Sequence, residues 1–152
     1  MTYKEAVVKA AAICSRNEKC EFDIRKKLDS WDLNIENKNK IIQYLKKEKY
    51  IDHQRYTGFF VRDKFRFNKW GKRKIEYELK LRSIESDVIK NGLKSIPDDE
   101  YKNTLAEILE QKLNGIKNRD YYHTKASLMR FASSKGFETD IIYKVIDSIV
   151  KP

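Results

Sequence analysis

The chain has 152 residues and a formal net charge of +10, because 33 lysines and arginines face 23 aspartates and glutamates. Its length suits one domain with a real core, and its 5 glycines and 2 prolines are too few for a sandwich or barrel built on tight turns. No apolar run approaches the roughly 20 residues of a membrane span, and 2 cysteines without CxxC spacing favour neither a disulfide framework nor a zinc site. We therefore expect a soluble, reduced, cytoplasmic protein without metal or cofactor, whose charge points to a polyanionic partner or an acidic protein surface.

Helical periodicity runs through the whole chain, and no segment alternates with period two for long. The apolar positions form nine groups with helical spacing, which predicts about nine helices. In chain order these groups begin at Ala6, Ile24, Ile41, Tyr56, Ile75, Val88, Leu105, Leu128 and Ile141. Asp52 is predicted to cap the fourth helix, and Ser95 with Pro97 is predicted to open the seventh.

An internal repeat organises the second half of the chain. The apolar positions in 75–93 match those in 128–146 without a gap, at an offset of 53 residues. Ser83 and Gly136 fall at the same position in the two turns, and Gly136 suits the left-handed backbone that often ends a helix. A looser third copy starts at Ile24 and needs an insertion of about three residues. Coincidence between amphipathic helices is the alternative explanation.

Three copies of a three-helix unit predict an all-α fold. We expect three tandem three-helix repeats that form one elongated, curved, solenoid-like domain over residues 1–152. The predicted repeats cover about 3–50, 51–95 and 96–152. Such a shape offers long grooves to partners and seldom encloses a deep catalytic pocket.

The positive charge is concentrated in one segment. Residues 1–50 carry a net charge of +4, residues 51–82 carry +6, and residues 83–152 carry zero. Residues 62–74, which we call the basic segment, contain seven basic side chains against Asp63 alone. The candidate residues for binding a partner or DNA are Arg62, Lys64, Arg66, Lys69, Trp70, Gly71, Lys72, Arg73 and Lys74.

Three aromatic residues lie among these cations. Lysine and arginine mixed with aromatics neutralise phosphates and stack on bases, and the same mixture can dock on an acidic protein groove. We favour a place in the core for Phe65 and Phe67. Trp70 stands beside Gly71, which permits a turn, and suits a core position and a contact position about equally.

No catalytic constellation accompanies the basic segment. Cys14 lies on the apolar face of the first helix, which indicates an inert core thiol. His53 and His123 stand near predicted helix starts without a motif around them, and the glycines are too scattered for a phosphate loop. We therefore expect a protein that is not an enzyme.

Four stretches, in the same order along the chain, resemble motifs of the RecX family of recombination regulators. They are residues 16–28, Tyr50-Ile51-Asp52-His53-Gln54-Arg55-Tyr56, Trp70-Gly71-Lys72-Arg73-Lys74-Ile75 with Glu78-Leu79, and Lys135-Gly136-Phe137 followed by Ile141. Cys20 departs from the family, which has a serine cap there, and His53 stands where a second aspartate is common. Cysteine caps a helix less well than serine, so we expect a weakly held start of the second helix.

The resemblance implies an all-helical, three-repeat regulator that is not an enzyme. Members of this family bind the RecA recombinase filament on single-stranded DNA and inhibit its strand exchange, ATPase and coprotease activities, within homologous recombination, DNA repair and the SOS response. For this chain the resemblance implies a monomer that meets the filament or its DNA through the basic segment. The residues themselves leave two alternatives open: a stand-alone nucleic-acid-binding helical module, and an adaptor for another acidic protein.

Overall fold

The computed structural model describes residues 1–117 and 120–152, and within these ranges the chain forms nine α-helices and no strand. The helices are α1 Tyr3–Arg16, α2 Glu21–Asp29, α3 Ile35–Lys47, α4 His53–Arg66, α5 Lys72–Leu81, α6 Ser86–Lys94, α7 Asp98–Asn114, α8 Tyr121–Ser134 and α9 Thr139–Ile149. The prediction of an all-α fold is confirmed. None of the described helices is long and apolar enough to cross a membrane.

Two predicted helix starts have different outcomes. The Asp52 carboxylate accepts the backbone N–H of Arg55 at 3.0 Å, so Asp52 caps α4 as predicted. The prediction for Ser95 is wrong, because Pro97 occupies the cap position of α7. The Ser95 hydroxyl instead donates to the carbonyl of Gly92 at 2.6 Å, and so closes the end of α6.

The start of α2 is held more firmly than its cysteine cap predicts. Asp23 accepts both the backbone N–H and the thiol of Cys20 at 3.3 Å, and His53 Nε2 accepts the backbone N–H of Glu21 at 3.1 Å. Because Nε2 is an acceptor, the proton of His53 resides on Nδ1, which donates to Glu85 at 3.0 Å. Two side chains thus supply what the missing serine would have supplied.

The turn after the second helix repeats three times in the backbone. Asp32, Ser83 and Gly136 each follow the second helix of their repeat, and their φ angles are 54°, 57° and 96°. These positions lie at offsets of 51 and 53 residues, the second of which is the offset of the apolar pattern. The backbone therefore carries the repeat into the first copy, where the sequence match is loosest.

The insertion predicted for the first copy is wrong. The third helices of the three repeats begin at Ile35, Ser86 and Thr139. These starts lie at the same offsets of 51 and 53 residues, so the copies stay in register. Lys38 stands where α6 and α9 place the buried residues Ile89 and Ile142, and its Nζ pairs with Asp29 at 2.9 Å. A lysine at an otherwise apolar position made the apolar pattern of the first copy look displaced.

The chain divides into two compact units, and unit 1 comprises Met1–Phe60 and Leu79–Ile89. Within it α1, α2 and α3 pack against one another. The buried core residues of this group are Ala6, Ala10, Cys14, Ile24, Leu28, Ile41, Ile42, Leu45 and Ile51. Cys14 is a core thiol, and burial raises its pKa to about 11.

Unit 2 comprises Val61–Glu78 and Lys90–Pro152. Within it α7, α8 and α9 pack against one another. Its buried apolar residues include Ile75, Tyr101, Leu105, Leu109, Leu128, Phe137, Ile142 and Ile146. The whole basic segment belongs to unit 2, so the structure places it beside the helices of the third repeat.

Candidate interface at the basic segment

The basic segment runs through the end of α4, a connection over 67–71, and the first turn of α5. Two backbone hydrogen bonds close the end of α4: Lys69 N–H donates to Phe65 O, and Trp70 N–H donates to Lys64 O, both at 3.1 Å. Lys69 has a left-handed backbone with φ of 57°, which ends the helix and turns the chain. The connection is therefore a defined turn.

The backbones of two turns cross at Gly71 and Gly136. Gly71 N–H donates to Lys135 O at 2.7 Å, and Arg73 N–H donates to Gly136 O at 2.9 Å. A Cβ on Gly71 would lie 2.4 Å from the backbone of Gly136, and a Cβ on Gly136 would lie 2.3 Å from the Cβ of Lys74. Both positions require glycine, because the atoms in the way are backbone or the first side-chain atom.

Tyr101 fixes the first residue of α5. Its hydroxyl accepts the backbone N–H of Lys72 at 2.9 Å and donates to the carboxylate of Glu138. Burial, together with this donation to Glu138, raises the pKa of Tyr101, so its hydroxyl stays protonated. The Tyr101 ring centroid lies 5.8 Å from that of Phe65 and 5.0 Å from that of Phe137. Phe65 is thus a core residue, as predicted.

Three lysines lie close to the connection that contains Trp70. The Nζ of Lys64 lies 5.0 Å from the Trp70 ring, and the Nζ of Lys74 lies 4.7 Å from it, within the range of cation–π attraction. Lys135 Nζ donates to the carbonyl of Asn68 at 2.8 Å. Burial and the nearby charge of Lys74 lower the pKa of Lys135. We call Lys64, Trp70, Lys74 and Lys135 the Trp70 cluster.

Lys135 was not among the predicted site residues. It lies far along the chain, in a stretch (83–152) whose total net charge is zero, so the charge totals by segment did not select it. The signal that could have found it is the match of Lys135-Gly136-Phe137 to the turn of the preceding repeat. The Gly71–Gly136 crossing then brings this lysine to the basic segment.

The other cations of the basic segment have different surroundings. Arg66 pairs with Glu100 at 3.6 Å, and Lys72 Nζ lies 4.9 Å from the Tyr101 ring. The remaining predicted cations, each exposed or half-buried, are Arg62, Lys69 and Arg73. The structure therefore brings Lys64, Trp70 and Lys74 together and directs Arg66 to a carboxylate.

Phe67 contradicts the expectation of a core position. Val61 and Phe65 are buried on one face of α4, whereas Phe67 lies just past the helix end and is 81% exposed. It leaves the buried face because residues four apart share a helix face and residues two apart do not. The connection thus presents a large apolar side chain beside its cations.

No cluster of three or more metal-ligating side chains occurs among residues 1–117 and 120–152. Both cysteines are buried, and burial raises the pKa of each thiol to about 11. What the basic segment offers chemically is charge, an indole ring and an exposed phenyl ring. Such groups can neutralise phosphates and stack on bases.

Comparison with known families gives two matches along the chain. Residues 52–93 match the second three-helix domain of RecX, and residues 98–146 match its third three-helix domain. The first match contains the whole basic segment, and the second contains Lys135 and Gly136.

Individual relatives carry the same name. The chain is 33% identical to the regulatory protein RecX of a Clostridium botulinum strain, over 97% of this chain and 71% of that protein. It is 31% identical to the regulatory protein RecX of Clostridium beijerinckii, over 93% of this chain and 66% of that protein. The chain thus spans about two thirds of the length of these relatives.

A solved structure has a similar fold. The crystal structure of RecX from Lactobacillus salivarius superposes with a TM-score of 0.88 at 20% identity, over 97% of this chain and 96% of that chain. A second crystal structure, of a regulatory protein RecX, also superposes with a TM-score of 0.88, at 19% identity. The described residues therefore have a known fold.

Proposed function

Because the chain belongs to the RecX family of regulatory proteins, we propose that it binds the filament of the RecA recombinase on single-stranded DNA and inhibits its strand exchange, ATPase and coprotease activities. In this role it acts as a monomer in the cytoplasm, on homologous recombination, DNA repair and the SOS response. The filament is a polyanion, which agrees with a chain of net charge +10.

The observation that carries the proposal is the Trp70 cluster. Lys64 and Lys74 lie at one indole ring, Lys135 Nζ donates to Asn68 O in the connection that contains this ring, and the Gly71–Gly136 crossing holds that connection. A preorganised turn loses little conformational entropy when it binds, which lowers the free-energy cost of a contact. Phe67 adds an exposed apolar side chain for a contact with the recombinase or with a base.

The inhibition is proposed to be stoichiometric and not catalytic. Both thiols are buried with raised pKa values, and His53 is occupied by Glu21 and Glu85. A reactive thiol needs a lowered pKa, and burial raises the pKa of both thiols. Inhibition by occupancy requires protein in proportion to the filament.

The test measures the ATPase and strand-exchange activities of purified recombinase on single-stranded DNA while the protein is added. We expect inhibition as the protein approaches the molar amount of filament-bound recombinase. Absence of inhibition at that amount would contradict the proposal. The double variant Lys69→Glu with Arg73→Glu should need several-fold more protein for the same inhibition, because two contacting charges are reversed.

A matched control is the double variant Lys4→Glu with Lys47→Glu. Lys4 and Lys47 are exposed lysines of unit 1, and their reversal changes the net charge by the same amount. Inhibition by this control should stay close to that of the original protein. If both double variants lose inhibition equally, the basic segment is not the contact and only net charge matters.

A second candidate function is a stand-alone nucleic-acid-binding module. The lysines over Trp70 and the exposed Phe67 favour it, since stacking and phosphate contact bind single strands without a protein partner. It predicts tight binding of single-stranded DNA without recombinase, with affinity falling steeply as salt rises. Binding that appears only when the filament is present would exclude it.

A further inference from the structure

A groove lies in unit 1 between the end of α1 and the start of α2. Its volume is about 360 Å³, and the charged side chains that line it are Arg16, Lys19, Lys27 and Asp23. Ile13 and Ile24 contribute apolar lining. We call this feature the α1–α2 groove.

The carboxylates near the groove are engaged by internal partners. Glu18 pairs with Arg55. Asp23 accepts the N–H and thiol of Cys20 at the start of α2. The charge of Glu18 is therefore balanced by Arg55, whereas Asp23 is hydrogen-bonded but has no cationic partner among the described residues.

Glu21 is engaged in the same way. Its two carboxylate oxygens pair with Arg25 at 2.8 Å and with Lys46 at 2.5 Å. Burial alone would raise the pKa of Glu21, but the hydrogen bonds and charges of Lys46 and Arg25 outweigh burial and lower it. Glu21 therefore stays ionised and attached to these two cations, neither of which lines the groove.

The three cations of the groove differ from these carboxylates in their pairing. Among residues 1–117 and 120–152, Arg16, Lys19 and Lys27 take part in no ion pair, whereas five other cations of unit 1 pair with carboxylates. The lining sets these three cations against one carboxylate, Asp23, so the groove carries an excess of positive charge. This arrangement is the chemical complement of a phosphate group or a chain of phosphates.

We infer that the α1–α2 groove binds the phosphodiester backbone of a single-stranded nucleic acid, as a second phosphate-binding site in the unit that does not contain the basic segment. The inference rests on the proposed function only for the identity of the polyanion. A polymer with one phosphate per nucleotide supplies several phosphates to the three cations of this groove, which a small anion cannot do. The aliphatic carbons of Ile13 provide a surface for the sugar next to the charged groups.

The test measures fluorescence anisotropy of a labelled oligothymidylate, without recombinase, as a function of salt. The double variant Lys19→Glu with Lys27→Glu should bind roughly tenfold more weakly at about 0.1 M salt. Its plot of log affinity against log salt should be shallower by about 1.4, because each lost phosphate contact on a single strand removes about 0.7. The control Lys4→Glu with Lys47→Glu should keep the original slope.

Equal losses in the two double variants would overturn the inference, because only net charge would then matter, and so would an unchanged affinity in the groove variant. Circular dichroism and thermal unfolding check that the variants fold. If the groove variant fails to fold, Lys19→Gln with Lys27→Gln replaces it, and the same comparison of slopes decides.

A second anionic polymer, which carries carboxylates in place of phosphates, distinguishes a phosphate site from a site for an acidic peptide. Oligothymidylate and poly-glutamate are titrated separately against the groove variant and the control. Loss of oligothymidylate binding with little change for poly-glutamate supports a phosphate site. Loss confined to poly-glutamate would overturn the inference in favour of an acidic peptide.

The same variants distinguish this inference from the proposed function. If the original protein does not inhibit the recombinase while the groove variant loses oligothymidylate binding, the proposed function fails and the groove site stands. If the original protein inhibits the recombinase while the groove variant binds oligothymidylate normally, the groove site fails and the proposed function stands.

Discussion

The basic segment and the α1–α2 groove are both rich in cations, but their charges are arranged differently along the chain. The basic segment is one continuous stretch of the chain, and it contains seven basic side chains and one acidic side chain. The groove draws its cations from residues 16–27, where five basic side chains stand against three acidic ones. A window of net charge finds the first region and passes over the second, because it cannot tell which carboxylates are already engaged.

Contacts within unit 2 also change the set of cations at the basic segment: they engage some of its cations and add one from another part of the chain. Arg66 pairs with Glu100, and Lys72 lies over the ring of Tyr101. The same crossing that holds the turn adds Lys135, which the charge pattern did not select. Contacts within each unit therefore decide which cations a partner can meet.

The largest expected effect is on the stability of unit 2, which contains the basic segment. Gly71→Ala places a Cβ 2.4 Å from the backbone of Gly136, so the crossing must open. We expect the free energy of unfolding of unit 2 to fall by about 3 kcal/mol. Urea unfolding followed by Trp70 emission, in a Trp31→Phe background, measures it because Trp31 and Trp70 are the chain's two tryptophans.

Gly58→Ala is the matched control for this substitution. A Cβ on Gly58 meets nothing within 4 Å, and Gly58 lies inside α4, where alanine is favoured over glycine by about 0.5–1 kcal/mol. We expect this control to be neutral or more stable. Equal destabilisation by both substitutions would mean that the crossing is not what holds the basic segment.

The next effect concerns the indole ring that distinguishes the basic segment from the groove. Trp70→Ala removes the ring that Lys64 and Lys74 approach, and we expect oligothymidylate affinity to fall by about 1–2 kcal/mol. In the Trp31→Phe background, oligothymidylate should also change Trp70 emission. Trp31→Phe itself should leave affinity unchanged. If the Trp70→Ala variant kept full affinity, only the charges of the cluster would contribute to binding.

The smallest effect concerns Glu21, the carboxylate that pairs with Arg25 and Lys46 outside the groove. The pKa of folded Glu21 is lowered by Lys46 and Arg25 in spite of its burial. Its contribution to stability is therefore present above the unfolded pKa of about 4.3 and is lost as pH falls through the folded pKa. Glu21→Gln should cost no more than about 1 kcal/mol at pH 7, and its difference from the original protein should shrink below about pH 4.

The measurement is the urea midpoint of both proteins across this pH range, followed by Trp31 emission in a Trp70→Phe background. The variant should also bind oligothymidylate slightly more tightly at pH 7, because Arg25 and Lys46 lose their carboxylate. A difference in stability that does not depend on pH would show that Glu21 acts through packing and not through its charge.

Much of the fold could be predicted because apolar spacing follows burial closely. Ile75 and Leu128 are equivalent positions of the repeat and both are buried, as are Ile84 and Phe137. The insertion predicted for the first copy failed because Lys38 takes an apolar position, with Asp29 as its partner. Phe67 failed for a related reason, since hydrophobicity alone does not show that the helix has ended before it.

The sequence by itself determined the helices, the repeat and the concentration of charge in residues 62–74, because periodicity and charge are properties of neighbouring positions. Only the tertiary structure decided that Gly71 and Gly136 cross, that Lys135 joins Lys64 and Lys74, and which cations remain available to a partner. These outcomes depend on distances between residues far apart in the chain, as for Glu18 and Arg55. Packing sets such distances, and no local pattern of residues encodes them.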